Sequence, residues 1–314
     1  MSKVFLLGAG FSYAISKGKI PLTDGLMDKI SDLIIPELSQ DYENTYPNIE
    51  LFITLLDIRK YYLRNKALKE KIEKIYKNIV ERIVSLIDID ILKNDYPLCK
   101  EFVEKKVSRE DAIVTLNYDC LLDKYLWLSG RWSPNGGYGI TFPFSGSQIP
   151  QNEKLDNILL LKIHGSCNFR NNSGNENYPN IEIREEIFPE IHSQLCSRNT
   201  KLDKGPHVLM MSYLKQPSNQ LKQIWRRTLE QIEKSNKLVI IGCSLREEDE
   251  FLKFALYHFG MKASDTHLRI EIVDKDEEEG KKIKLKLEKM CLFPYPEKQE
   301  FKVYKNLKSY IKED

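Results

Sequence analysis

The chain has no pair of cysteines close enough to build a metal knuckle. Its six cysteines are Cys99, Cys120, Cys167, Cys196, Cys243 and Cys291, and no two fall within four residues of each other. A Cys-x-x-Cys zinc site is therefore not written in the sequence, and a disulfide framework is not expected. They read as free thiols in a reducing compartment. Long hydrophobic runs are also missing. Val4–Leu7 and Ile158–Leu161 have strand length, far below the roughly 18–20 residues that span a bilayer. Gly8 and Gly10 interrupt the first apolar run before it could form the core of a secretion signal, so the expectation is a cytoplasmic protein that does not enter membranes. Net charge is small: 48 Lys and Arg against 46 Asp and Glu leave +2. That balance gives no electrostatic footprint for duplex DNA and argues against direct nucleic-acid binding. No Gly-x₄-Gly-Lys-Ser/Thr phosphate loop, internal repeat or low-complexity tail occurs.

What is present fits an α/β protein. At 314 residues, 41 % hydrophobic and 30 % charged, the chain is long enough for one large domain carrying insertions. Short apolar runs recur at 3–8, 112–117, 158–165, 207–212, 237–242 and 268–274. Their hydrophobicity is continuous rather than alternating, as in parallel strands covered on both faces. The predicted architecture is a Rossmann-like parallel sheet flanked by helices, within a single domain over 1–314. Between the first two strands, residues 51–87 carry apolar positions at three-to-four spacing with Lys, Glu and Arg between them. A stretch this long exceeds a crossover helix, so a helical insertion is placed at about 28–110. A loop-rich insertion at about 130–157 contains "SPNGGYG" and "PFSGSQIPQN". Residues 226–236 read as a helix feeding the 237–242 strand.

Four clusters carry chemistry. "GAGFS" follows the first strand, and glycines at 8 and 10 let backbone amides approach a phosphate at a helix N-terminus. The spacing falls short of the dinucleotide fingerprint, because Tyr13 stands where a small residue is wanted. A ligand-free strand-to-helix turn would use the same glycines. "TLNYD" follows a second strand and brings Thr115, Asn117 and Asp119 to the sheet edge. The Asn117 amide both donates and accepts, suiting a sugar hydroxyl or a water; Asn117 and Asp119 are equally read as helix-start residues. "KIHGS" places His164 and Gly165 after a third strand. An imidazole there is either structural or an acceptor of a proton from water. "IIGCSLREEDEFL" adds Gly242 and Ser244, with Glu247, Glu248 and Asp249 opening a helix whose dipole they satisfy.

Taken in this order, these blocks resemble the sirtuin-like (silent information regulator two type) NAD-binding family, and the strand ending at Asp274 fits its last nucleotide-contacting strand. Sirtuin deacylases carry two Cys-x-x-Cys pairs for zinc, which are missing here, so no zinc and no resident cofactor are expected. The chain looks more like the bacterial sirtuin-like proteins of phage defence, which hydrolyse NAD⁺ to nicotinamide and ADP-ribose. On that resemblance Asn117 positions the attacking water, His164 serves as base or ribose partner, and Asp119 supports Asn117. Gly8, Ala9, Gly10 and Ser12 hold the diphosphate, and Thr115 and Gly165 are counted among the NAD-binding residues. Gly242 and Ser244 lie on the adenosine side, and Asp274 near the adenine ribose. Phe11 and residues 20–24, including Asp24, roof the nicotinamide pocket. The resemblance implies NAD⁺ as substrate and a homo-oligomer. It also implies a separately encoded partner such as a HerA-like ATPase or an Argonaute-like protein. Two rival readings remain: a non-catalytic NAD⁺ or ADP-ribose sensor, and a zinc-free deacylase.

Overall fold

A computed structural model describes residues 2–87, 93–140, 158–171, 181–183, 206–246, 249–290 and 294–313. Residues 141–157 of the predicted loop-rich insertion, together with Cys196, Glu247, Glu248 and Cys291, lie outside these residues.

Six strands form a parallel sheet: β1 (Lys3–Leu7), β2 (Ala112–Thr115), β3 (Leu159–Lys162), β7 (Lys237–Ile241), β8 (Leu268–Val273) and β9 (Gln299–Tyr304). Their order is β3-β2-β1-β7-β8-β9, and every neighbouring pair is parallel. The chain starts in the middle, winds outward through β2 and β3, then returns to the other side of β1. The switch point therefore falls between β1 and β7, where ligands bind in open α/β sheets.

Continuous hydrophobicity in β1 has a direct cause. Phe5 points to one face and meets Phe102 of α6 (Pro97–Lys106) edge-on, with ring centroids 5.3 Å apart. Val4 and Leu6 point to the other face. There they join Ile232 of α9 (Asn219–Lys234) and Leu252, Ala255 and Leu256 of α10 (Glu250–Met261) around a void of about 10 Å³. With helices on both sides, the buried positions Val4–Leu7 are all apolar, and only Lys3 at the start of the strand, paired with Asp111, carries a charge.

The 51–87 periodicity resolves into two helices, α4 (Ile49–Tyr62) and α5 (Lys66–Ser85). Asn65 separates them: its side chain accepts from Leu68 N and caps α5. With α2 (Leu26–Ile30) and α3 (Pro36–Thr45), these helices enclose a second apolar core that includes Met27, Ile30, Leu38, Phe52, Leu56, Ile72 and Ile79. The helix α6, within the stretch assigned to the insertion, instead gives Cys99, Phe102 and Val103 to the core around the sheet. Among the described residues no helix is long and apolar enough to cross a membrane.

One expectation is corrected. The 207–212 run does not join the parallel sheet. Its described strand β6 (Pro206–Val208) pairs antiparallel with β4 (Gly165–Asn171), which also pairs with β5 (Ile181–Ile183) in a separate small sheet. After β3, Gly165, at φ +80°, turns the chain into β4. The edge strand β9 was not foreseen, because its burial alternates rather than running continuously.

Candidate functional site

The carboxyl ends of β1 and β7 interlock. Gly8 N donates to Ile241 O at 3.0 Å and Gly10 N to Gly242 O at 2.9 Å. A Cβ on Gly8 would stand 2.5 Å from Gly242 O, and one on Gly242, at φ +56°, 2.4 Å from Phe11 N. Only glycines let these two turns approach so closely, and α1 (Ala9–Ser16) starts at that contact.

Asn117 leaves β2 toward this junction. Its Nδ2 donates to Gly8 O at 2.9 Å and to Ser12 Oγ at 2.8 Å, and its backbone N–H donates to Thr115 Oγ1 at 3.1 Å. Ser12 Oγ in turn donates to Asp119 Oδ2 at 2.6 Å. Asp119 thus supports Asn117 through Ser12, while its Oδ1 accepts from Leu121 N and starts α7 (Leu121–Leu128). Burial pushes the Asp119 carboxyl above its ordinary value, an effect that Lys162 and the Ser12 hydroxyl partly offset.

Under this turn lies Lys162, wholly buried. Its Nζ donates to Asp119 O at 2.6 Å and pairs with Asp123 Oδ2 at 3.0 Å. Asp123 also accepts from the Tyr138 hydroxyl, which accepts from Asn168 Nδ2 at 2.9 Å. Burial alone would lower Lys162, but Asp123, with Cys120, Cys167 and Asp119 adding to it, holds the ammonium above its ordinary value.

His164 Nε2 stands 2.9 Å from Asp249 Oδ2, and Lys215 Nζ lies 3.3 Å from the same oxygen. His164 and Asp249 are buried, and the Lys215 side chain is only 9 % exposed. Burial would raise the Asp249 carboxyl, but His164 and Lys215 pull it well below the usual carboxylate range. Asp249 therefore stays ionised beside the imidazole and also accepts from Leu252 N to cap α10. In the sequence Asp249 needed no role beyond the helix dipole. The contact with His164 depends on a fold that brings residues 85 positions apart together, and Lys215 sits in a segment without periodicity.

Two cavities open along the switch point. One, of about 120 Å³, is lined by Gly8, Asn117, His164, Lys215 and Asp249, with Ile20 and Pro21 above. The other, of about 620 Å³, is lined by Gly10, Gly242, Asp274, Lys275 and Lys282. Ala9, Thr23, Ser244 and Arg246 line both. Burial, with Glu279 nearby, raises the Asp274 carboxyl.

The structure thus brings Gly8, Ala9, Ser12, Asn117, Asp119, His164 and Ser244 to the smaller cavity and Gly10, Gly242, Asp24 and Asp274 to the larger. Thr115 and Gly165 line neither: Thr115 braces Asn117 from below, and Gly165 turns the chain. Phe11 lines the larger cavity rather than the smaller, and its ring packs edge-on against Phe102 with centroids 5.1 Å apart. Asp24 is 84 % exposed and lies 2.6 Å from Arg246 Nη2. Glu50 of α4, buried, pairs with the other end of the same guanidinium. Sequence reasoning missed Glu50, Lys215 and Arg246. Among the described residues no three His, Cys, Asp or Glu side chains are grouped to hold a metal ion.

The model of the SIR2-like domain matches residues 111–295, more than half of the chain. No curated protein matches. Solved structures that align include a Sir2 protein with the inhibitor EX-527, 2′-O-acetyl-ADP-ribose and a deacetylated p53 peptide. It is 12 % identical, with 99 % of this chain and 90 % of that one covered and a TM-score of 0.41. Another is a Sir2–p53 peptide–NAD⁺ complex, 13 % identical over the same shares, with a TM-score of 0.42. On the match of the domain model, the chain belongs to the SIR2-like domain family.

Proposed function

We propose that the chain hydrolyses NAD⁺ to nicotinamide and ADP-ribose. The observation that carries this reading is the convergence of Asn117 and His164 on one cavity beside the Gly8 turn, with His164 braced by an ionised Asp249. The larger cavity suits the adenosine half, with Asp274 within reach of a ribose hydroxyl at the end of β8. The smaller suits the nicotinamide riboside.

In this reading the Asn117 amide, fixed by Gly8 O and Ser12 Oγ, keeps its carbonyl oxygen to orient a water toward the anomeric carbon. The bond from that carbon to the pyridinium nitrogen breaks, and nicotinamide leaves with the electron pair. The water oxygen bonds to the carbon while His164 takes the proton, forming an imidazolium that Asp249 stabilises. Nicotinamide, ADP-ribose and one proton account for NAD⁺ and water. The leaving group is already cationic, so the site requires no second opposed carboxylate of the glycosidase kind.

An enzyme that destroys NAD⁺ is toxic unless restrained. The resemblance to phage-defence proteins supports a role as a regulated effector that depletes NAD⁺, working as a homo-oligomer or with a separately encoded ATPase or Argonaute-like partner. The test is incubation of wild type, Asn117→Ala and His164→Ala with NAD⁺, following nicotinamide and ADP-ribose by chromatography. Turnover in wild type, lost in both folded variants, is the expected result. Binding of ADP-ribose with no turnover, in the isolated chain and with its partner, would leave a sensing module instead.

A further inference from the structure

We infer that Arg246 is the anion grip of this site: one end of its guanidinium is anchored to the helical layer, and the other is reserved for the diphosphate of a bound dinucleotide. The inference rests on the dinucleotide reading above and assigns a residue that the glycine turns do not supply.

Position is the first support. Arg246 is among the few side chains lining both cavities, together with Ala9, Thr23 and Ser244. A ligand with its adenosine in the larger cavity and its second ribose in the smaller must carry its linking group past this boundary. The chain is shaped to put a side chain there. Gly242 at φ +56° and Leu245 at φ +50° turn the backbone twice after β7. A leucine in the left-handed region is unfavourable, and here it is held by burial of its side chain.

The second support is the asymmetry of the two partners. Arg246 Nη1 pairs with Glu50, whose side chain is almost fully buried, and Nη2 with Asp24, whose side chain is 84 % exposed. A buried carboxylate deprived of its cation would be costly, so Glu50 keeps its hold. An exposed pair is screened by water and contributes little, so Asp24 yields readily to a stronger anion. The planar guanidinium presents Nη2 to a phosphate oxygen without releasing Glu50. Asp24 is then a placeholder that keeps the grip neutralised while the site is empty. Because Glu50 belongs to α4, the position of the helical layer sets the position of the grip. Displacement of α4 would weaken dinucleotide binding without touching Asn117 or His164.

Calorimetry of the full chain with ADP-ribose and with adenosine tests this directly. Arg246→Lys keeps a charge for Glu50 but loses the fork. It should bind ADP-ribose about tenfold more weakly, on the scale of one charge-assisted hydrogen bond, with adenosine affinity unchanged. Asp24→Asn, at an exposed position that does not threaten folding, should tighten ADP-ribose by up to about fivefold at low salt. Glu50→Gln should weaken ADP-ribose alone. Wild-type affinity for ADP-ribose in both Arg246→Lys and Asp24→Asn would overturn the inference and leave the dinucleotide reading standing. Failure of the wild type to bind ADP-ribose, adenosine and NAD⁺ would overturn both.

Discussion

Replacing Lys162 by Met tests whether the ground under the site is an ion pair or merely a filled volume. The two side chains are similar in size, so the substitution removes charge rather than bulk. Asp123 would keep the Tyr138 hydroxyl but lose the cation 3.0 Å away, in surroundings where both side chains are only 1 % exposed. Breaking a buried pair from one side costs about 3–5 kcal/mol, because the surviving charge is left uncompensated. The hydrogen bond from Nζ to Asp119 O disappears too. Urea unfolding of the two proteins should show a lower midpoint for the variant with an unchanged slope. A thermal melt should drop by roughly 5–8 °C. The double variant Lys162→Met, Asp123→Leu removes both charges and should recover at least half of the loss. Lys162 is held above its ordinary value of 10.5, so its contribution is complete below that pH and fades only as pH rises through the folded value. The gap between wild type and Lys162→Met should therefore be flat across the neutral range and close in strong alkali. A single variant within about 1 kcal/mol of wild type would refute the reasoning, since the buried charge would then have found another partner.

Other outcomes follow from the same geometry. Asp249→Asn can still cap α10 but cannot offer His164 a carboxylate, so under the proposed hydrolysis NAD⁺ turnover should fall at least tenfold while helix content by circular dichroism is retained. Asp249 is depressed below its ordinary value of 3.8, so the stability it adds is present above that pH and lost as the medium is acidified through its folded value. Unfolding midpoints for wild type and Asp249→Asn should accordingly converge only on the acid side. Gly8→Ala drives a Cβ to within 2.5 Å of Gly242 O and should cost about 1–3 kcal/mol together with ADP-ribose affinity; wild-type behaviour in both would show that the turns are looser than drawn. Burial pushes the Cys243 thiol up to about 12. Site-resolved alkylation should therefore leave Cys243 unmodified in the native protein and label it on unfolding, and prompt native labelling would contradict its burial.

The sequence by itself determined the parallel sheet and the glycine turn. Continuous apolar runs such as 3–8 and 237–242 leave no solvated face, and glycines after such strands are local signals that survive without tertiary context. It also placed Asn117 and His164 at strand ends. Tertiary structure decided the rest. That the 207–212 run pairs antiparallel with β4 depends on where the chain goes after Gly165, and an apolar run does not encode its partner. Asp249 looked like an ordinary first-turn carboxylate, and Glu50, one residue before the amphipathic stretch at 51–87, carried no signal of its own. Each acquires its role only when β3 meets α10, or α4 meets the turn after β7. Charges that face water and charges that face one another are written with the same letters. What separates them is the distance across the fold, and that is fixed only when the two cores have packed.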